Sequence, residues 1–198
     1  MKNLRIPLRR FFVQMLEIAC SLWYTVFMKY DYVTLYNKNA SFFNARPTAK
    51  RILTVGNAFL TWLFFACYGG LWIYTLSIAP LDVKEMVKIA FVPLLALVTV
   101  TVLRLAIDRP RPYAEDGADI TPLVAKKSDG KSFPSRHLTC ATVIAMTFLP
   151  FYPIMGGILL FASVLLGYAR FATGLHYPSD ILAGAGVGII LGSLIFVL

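Results

Sequence analysis

Acidic residues, histidines and cysteines are all scarce in this sequence. The chain has 198 residues, with 10 Asp or Glu against 19 Lys or Arg, for a net charge of +9. It has only three cysteines. Cys20, Cys67 and Cys140 lie inside apolar runs, and an odd count gives no disulfide framework, so they read as small buried hydrophobes. There are only two histidines, His137 and His176. No third histidine and no acidic cluster accompanies them, which leaves a metal site short of ligands. The chain shows no internal repeat and no low-complexity segment, which argues against a repeat array or a disordered tail.

What the chain has instead is apolar length. Hydrophobic residues make up 58% of it, above ordinary globular usage. Several runs approach the roughly 20 residues a spanning helix needs. The reading is an all-α integral membrane bundle of about six transmembrane helices. The whole of 1–198 is read as one membrane-embedded domain. Spans are expected at 54–79, 87–107, 134–151, 154–169 and 181–198. The run 11–30 follows Lys2, Arg5, Arg9 and Arg10, with no small-residue cleavage site, and reads as an uncleaved segment. Gln14, Glu17, Ser21 and Thr25 share one helical face there. We read it as a spanning helix with its polar stripe turned inward; the alternative is an amphipathic helix in the interface. Residues 31–51 read as a polar loop with short helical pieces, and 108–133 as a long polar active-site loop. Gly184, Gly188 and Gly192 lie four apart, a seam that lets another helix approach closely. A basic chain of this kind suits anionic lipid headgroups; nucleic acid is excluded as a partner, since nucleic-acid modules are not built of bilayer-length runs.

Three polar clusters interrupt this frame: 104–112, 134–137 and 170–180. The first ends the span at 107 and the second opens the span at 134, so both lie on one side of the bilayer. The chain then crosses and returns, so the third emerges on that side too. Four arginines (Arg104, Arg111, Arg136 and Arg170), both histidines and Asp180 can therefore converge. Charged residues at a membrane boundary cost free energy unless they have work to do. Arginine forks match phosphate oxygens, and four of them would repel a cation and call for an anion between them. Pro134 and Ser135 look like a helix start, with Pro in the first turn and Ser as a cap, and helix N-termini offer N–H groups to phosphate. One histidine can attack phosphorus while the other protonates the leaving group. Asp180, four residues after His176, is spaced to orient its ring.

Taken together these residues resemble the signatures of the type 2 phosphatidic acid phosphatase superfamily. Arg104, then six intervening residues, then Arg111-Pro112, is similar to the first. Pro134-Ser135-Arg136-His137 is similar to the second. Arg170, His176 and Asp180, separated by five and three residues, are similar to the third. The resemblance implies a six-helix bundle and a lipid phosphatase that uses no metal or other cofactor. It makes His176 the nucleophile, Asp180 its partner and His137 the general acid. Arg104, Arg111, Ser135, Arg136 and Arg170 are then phosphate ligands. Arg104 stands where the family usually has Lys, Arg136 where it usually has Gly, and Ala169 where it usually has Ser. Polyprenyl diphosphate, phosphatidylglycerol phosphate and phosphatidic acid all suit such a site, with the lipid tail entering between helices. The resemblance also implies a plasma-membrane protein whose site faces away from the cytoplasm. Three other readings stand beside this one. They are a vanadate-dependent haloperoxidase, a phosphatase of soluble esters, and a non-catalytic lipid-phosphate or anion binder or transporter. The spans argue against the first two. Against the third, mere binding would need only the arginines.

Overall fold

A computed structural model describes residues 32–77, 81–114, 120–124 and 131–198. All regular structure among them is helical. The helices are α1 (Tyr32–Asn44), α2 (Pro47–Ser77), α3 (Val83–Ile107), α4 (Arg136–Phe148), α5 (Pro153–Ala172) and α6 (Pro178–Gly192), which runs into a 3-10 turn at Ser193–Phe196. The segment 11–30 lies outside the described residues, as do Glu115, Asp116, Asp119, Lys126, Lys127 and Asp129 of the long polar loop.

Among the described residues, four helices are long and apolar enough to cross a membrane: α2, α3, α5, and α6 with its 3-10 extension. This is an integral membrane protein. Large apolar side chains such as Trp62, Ile73, Val102, Ile154 and Phe161 stand exposed along these helices, where lipid would solvate them.

The expected span at 134–151 is a different object. Helix α4 has 13 residues, about 20 Å at 1.5 Å per residue, well short of a bilayer core. It is buried along nearly its whole length, from Leu138 to Phe148, and packs against α2, α3, α5 and α6. It is a central post rather than a lipid-facing span. Its apolar sequence is the same in either role, since a helix apolar all round fits a protein core as well as a bilayer.

The glycine seam of α6 is what lets α6 press against this post. An ideal Cβ on Gly184 would sit 2.7 Å from the Ser135 carbonyl oxygen. One on Gly188 would sit 2.7 Å from Thr142 Cβ, and one on Gly192 the same distance from Met146 Cβ. Thr139 Oγ1 donates to the Gly184 carbonyl at 3.0 Å across the same contact.

Residues 31–51 also depart from expectation. Rather than a loop, most of the stretch is α1, which buries Tyr32, Tyr36, Ala40 and Phe43. These positions follow a helical period, but Asn37, Lys38 and Asn39 between them disguise it. The helix lies against the segment joining α5 to α6. Asn39 Nδ2 donates to the Ala172 carbonyl at 3.2 Å, and the Tyr32 ring packs on Tyr177 and Phe171. Helix α2 then starts at Pro47, seven residues before the expected span, with proline in the first position where its missing N–H costs nothing.

Replacing Gly184 with Ala should drive the Ser135 backbone away from α6. The expected cost is about 1–3 kcal/mol, read as a lowered midpoint of thermal unfolding in detergent. Ala at Gly157, where a Cβ meets nothing within 4 Å, should leave the midpoint within about a degree or two.

Candidate active site

The site is built where α3 and α5 end and α4 and α6 begin. Helix α5 closes on a glycine: Gly174 has φ +77°, a backbone conformation that side chains resist. The Gly174 N–H bonds the Phe171 carbonyl at 2.9 Å and the Leu175 N–H bonds the Arg170 carbonyl at 3.2 Å, the paired closure of a Schellman turn. Pro178 then starts α6 at once. His176 is thereby held in a five-residue passage between two rigid helix ends. Asp180, in the first turn of α6, reaches back to accept the Tyr177 N–H at 2.9 Å, the returning half of a capping box.

Asp180 is fully buried and ties the three polar clusters together. Its Oδ1 accepts from Arg109 Nη1 at 3.0 Å. Its Oδ2 accepts from Tyr177 N–H and from Ser132 Oγ. His176 Nδ1 stands 3.4 Å from the same Oδ2, close enough for an ion pair but without the alignment of a hydrogen bond. Catalytic contacts of this kind often tighten only when substrate arrives. The Asp180 carbonyl accepts from the Ser135 N–H at 2.9 Å. Burial pushes the His176 imidazole below its ordinary pKa; Asp180 pulls it back up, while Arg111 and Arg170 push it further down.

Arg111 is buried and donates from Nη1 to the Leu175 carbonyl at 3.4 Å, next to His176. Arg170 is only 4% exposed. Its Nη2 donates to Thr61 Oγ1 at 2.8 Å, and its buried Nε has no hydrogen-bond partner. Ser135 is at the N-cap position of α4 but makes no side-chain cap. Its hydroxyl is buried and unpartnered, so the expected capping role is not what fixes it. Pro134 precedes the cap rather than opening the first turn.

Arg104 is largely engaged by backbone carbonyls. Its Nη1 donates to the Ser132 and Pro134 carbonyls at 3.1 and 2.8 Å, and its Nη2 to the Lys131 carbonyl. Most of its donors clamp the backbone that leads into α4. Arg136 is exposed and His137 half-buried. The two stand in the first turn of α4 at the polar edge of a cavity of about 320 Å³. The cavity continues between helices along apolar side chains that include Phe64, Leu97, Ile144 and Leu166.

Four contributors were not singled out from the sequence: Arg109, Ser132, Ser179 and Thr61. Arg109 Nη1 also meets Ser179 Oγ at 2.7 Å, and its guanidinium lies 4.0 Å over the Tyr177 ring. Its place beside Arg111 in an Arg-Pro-Arg-Pro run was the available signal. Ser132 and Thr61 carried none, being ordinary hydroxyl residues in a loop and a span.

Arg109→Gln should leave the buried Asp180 charge without its counter-ion. We expect destabilisation of about 2–4 kcal/mol, measured by thermal unfolding in detergent, and an unchanged midpoint would show that the pair does not support the fold.

Residues 85–198 match the family model described as the PAP2 superfamily. Over 87 residues the chain is 36% identical to undecaprenyl-diphosphatase BcrC of Bacillus subtilis (strain 168), a match covering 44% of each protein. The matched region is thus less than half the length of that relative. The fold is similar to that of LpxE from Aquifex aeolicus, with a TM-score of 0.60 and 27% identity, over 83% of this chain and 94% of that one. It is also similar to the first transmembrane PAP2 type phosphatidylglycerolphosphate phosphatase from Bacillus subtilis. There the TM-score is 0.55 at 20% identity, over 90% of this chain and 93% of the other, a likeness of fold alone.

Proposed function

The chain belongs to the PAP2 superfamily, and from that premise we propose that it is a lipid phosphatase acting through a phosphohistidine on His176, without a metal ion. His176 attacks phosphorus in line, and the bond from phosphorus to the lipid oxygen, or to the bridging oxygen of a diphosphate, breaks. The electron pair leaves with that oxygen, and His137 supplies its proton. Water then attacks the phosphohistidine, giving its proton to His137, so that orthophosphate departs and both histidines return to their starting forms. Arg111 and Arg170 neutralise charge on the equatorial oxygens, with the Ser135 hydroxyl as a further donor. Arg136 meets the headgroup at the cavity edge. Arg104 acts on phosphate through whatever donors its clamp leaves free and otherwise fixes the segment entering α4. Asp180 stabilises the positive charge that develops on His176.

One observation carries the lipid reading over a soluble ester. The apolar cavity between α2, α3, α4 and α5 ends at Arg136 and His137, so a hydrocarbon chain lying in it would deliver its phosphate to the basic cluster. The similarity to an undecaprenyl-diphosphatase puts polyprenyl diphosphate first among substrates, with phosphatidylglycerol phosphate and phosphatidic acid next. The family resemblance favours a plasma-membrane protein whose site faces away from the cytoplasm.

Purified protein in detergent should release phosphate from such lipids with a metal chelator present. His176→Ala should cut that release on the order of a thousandfold or more while the protein remains folded. Release at the wild-type rate from this variant would exclude the phosphohistidine. A binder or transporter would bind lipid phosphate but release nothing.

The pH profile gives a separate check. Only neutral imidazole attacks phosphorus, and the lowered pKa of His176 keeps it neutral to more acidic pH. The acid limb of kcat/KM should therefore have its midpoint below the ordinary histidine value of about 6.5. A midpoint above that value would contradict His176 as the attacking base.

A further inference from the structure

Thr61 lies in α2, far in sequence from the three polar clusters, yet it belongs to two environments at once. Its Oγ1 accepts from Arg170 Nη2 at 2.8 Å and donates to the Asn57 carbonyl at 2.8 Å. The same residue lines the apolar cavity that ends at Arg136 and His137. With its proton committed to Asn57, the hydroxyl presents its lone pairs to the guanidinium. Arg170 is nearly fully buried, and its Nε stays unpartnered. A fork so placed can give Nε and its remaining N–H groups to an anion while Thr61 fixes its plane.

We propose that Thr61 is a positioning and specificity-determining residue that couples occupancy of the hydrocarbon cavity to the alignment of Arg170 on the phosphate. This rests on the reading of the site as a lipid phosphatase. A chain lying in the cavity packs against Thr61, shields its two hydrogen bonds from water, and so strengthens the contact that orients the arginine. A substrate with a short chain leaves that contact unmade and meets a less ordered guanidinium. Because a hydrogen bond to a charged group is strong and the phosphoryl charge is redistributed in the transition state, the effect falls mainly on kcat.

The test compares a long-chain alkyl phosphate with butyl phosphate on the purified full chain in detergent, for wild type, Thr61→Val and Thr61→Ser. Val keeps the shape and removes the acceptor; Ser restores it. In the wild type, kcat should be higher for the long chain. Thr61→Val should lower kcat for the long chain about tenfold and for butyl phosphate much less, so that the chain-length dependence of kcat flattens. Thr61→Ser should recover most of the loss. Equal loss for both substrates would overturn the coupling and leave Thr61 as plain structural support, and so would no loss at all. If the wild type released phosphate from neither ester nor from the lipid phosphates named above, the phosphatase reading would fall. The Thr61–Arg170 contact would still be read without turnover, by the thermal stabilisation that inorganic phosphate gives the protein. A smaller shift in Thr61→Val supports the positioning role, and an unchanged shift overturns it.

Discussion

One buried carboxylate holds the polar end of this bundle together. Asp180 is sealed from solvent, and a charge in that position is tolerable only if its oxygens are filled. Arg109 comes from just beyond the end of α3, Ser132 from the segment before α4, and the Tyr177 N–H from the start of α6. The His176 ring approaches the same carboxylate. Those groups belong to segments up to 71 residues apart, so satisfying one anion fixes the relative placement of three chain regions. The Asp180 backbone adds to this by accepting from Ser135. The imidazole and the arginines around it inherit their positions from that arrangement.

The remaining architecture keeps the arrangement at a membrane boundary. Helix α4 is too short to span and too apolar to be exposed, so it serves as a core on which longer helices pack. The glycine seam of α6 allows the closest of these contacts. That contact sets the start of α6 against the start of α4, where Ser135, Arg136 and His137 stand. Helix α1 covers the other side: the Tyr36 hydroxyl donates to the Thr121 carbonyl at 2.8 Å and Tyr32 packs on Tyr177. The passage holding His176 is thus enclosed by α1 outside and the bundle inside. This enclosure is also what lowers the histidine's affinity for a proton, because charging it would mean burying a cation beside Arg111 and Arg170.

The sequence made some of this legible and not the rest, for physical reasons. Helix type and the approximate spans followed from apolar run length, and the seam followed from glycines four apart. The nearness of the three clusters was expected from counting crossings that included 134–151, and the structure brings them together although the helix there has only 13 residues. Length alone could not separate a core helix from a spanning one, so α4 was read as a span. Helix α1 was missed because three of its four buried residues are aromatic and its solvent face carries asparagine, which favours loops in isolation. The orientation of Arg104 could not be read at all. An arginine in a signature position looks the same whether its fork meets an anion or, as here, three backbone carbonyls. Arg109, Ser132 and Thr61 act through side-chain partners 48 to 109 residues away, and only coordinates reveal such contacts.

The proposed chemistry turns on whether phosphorus is ever bonded to the His176 imidazole. The most direct measurement is to mix the protein with a lipid carrying radiolabelled phosphate, quench within milliseconds, and map the label by peptide sequencing. Covalent label on the peptide containing His176, stable in base and lost in acid, is the predicted result. Turnover with no labelled protein at any quench time, or label on a different residue, would contradict it.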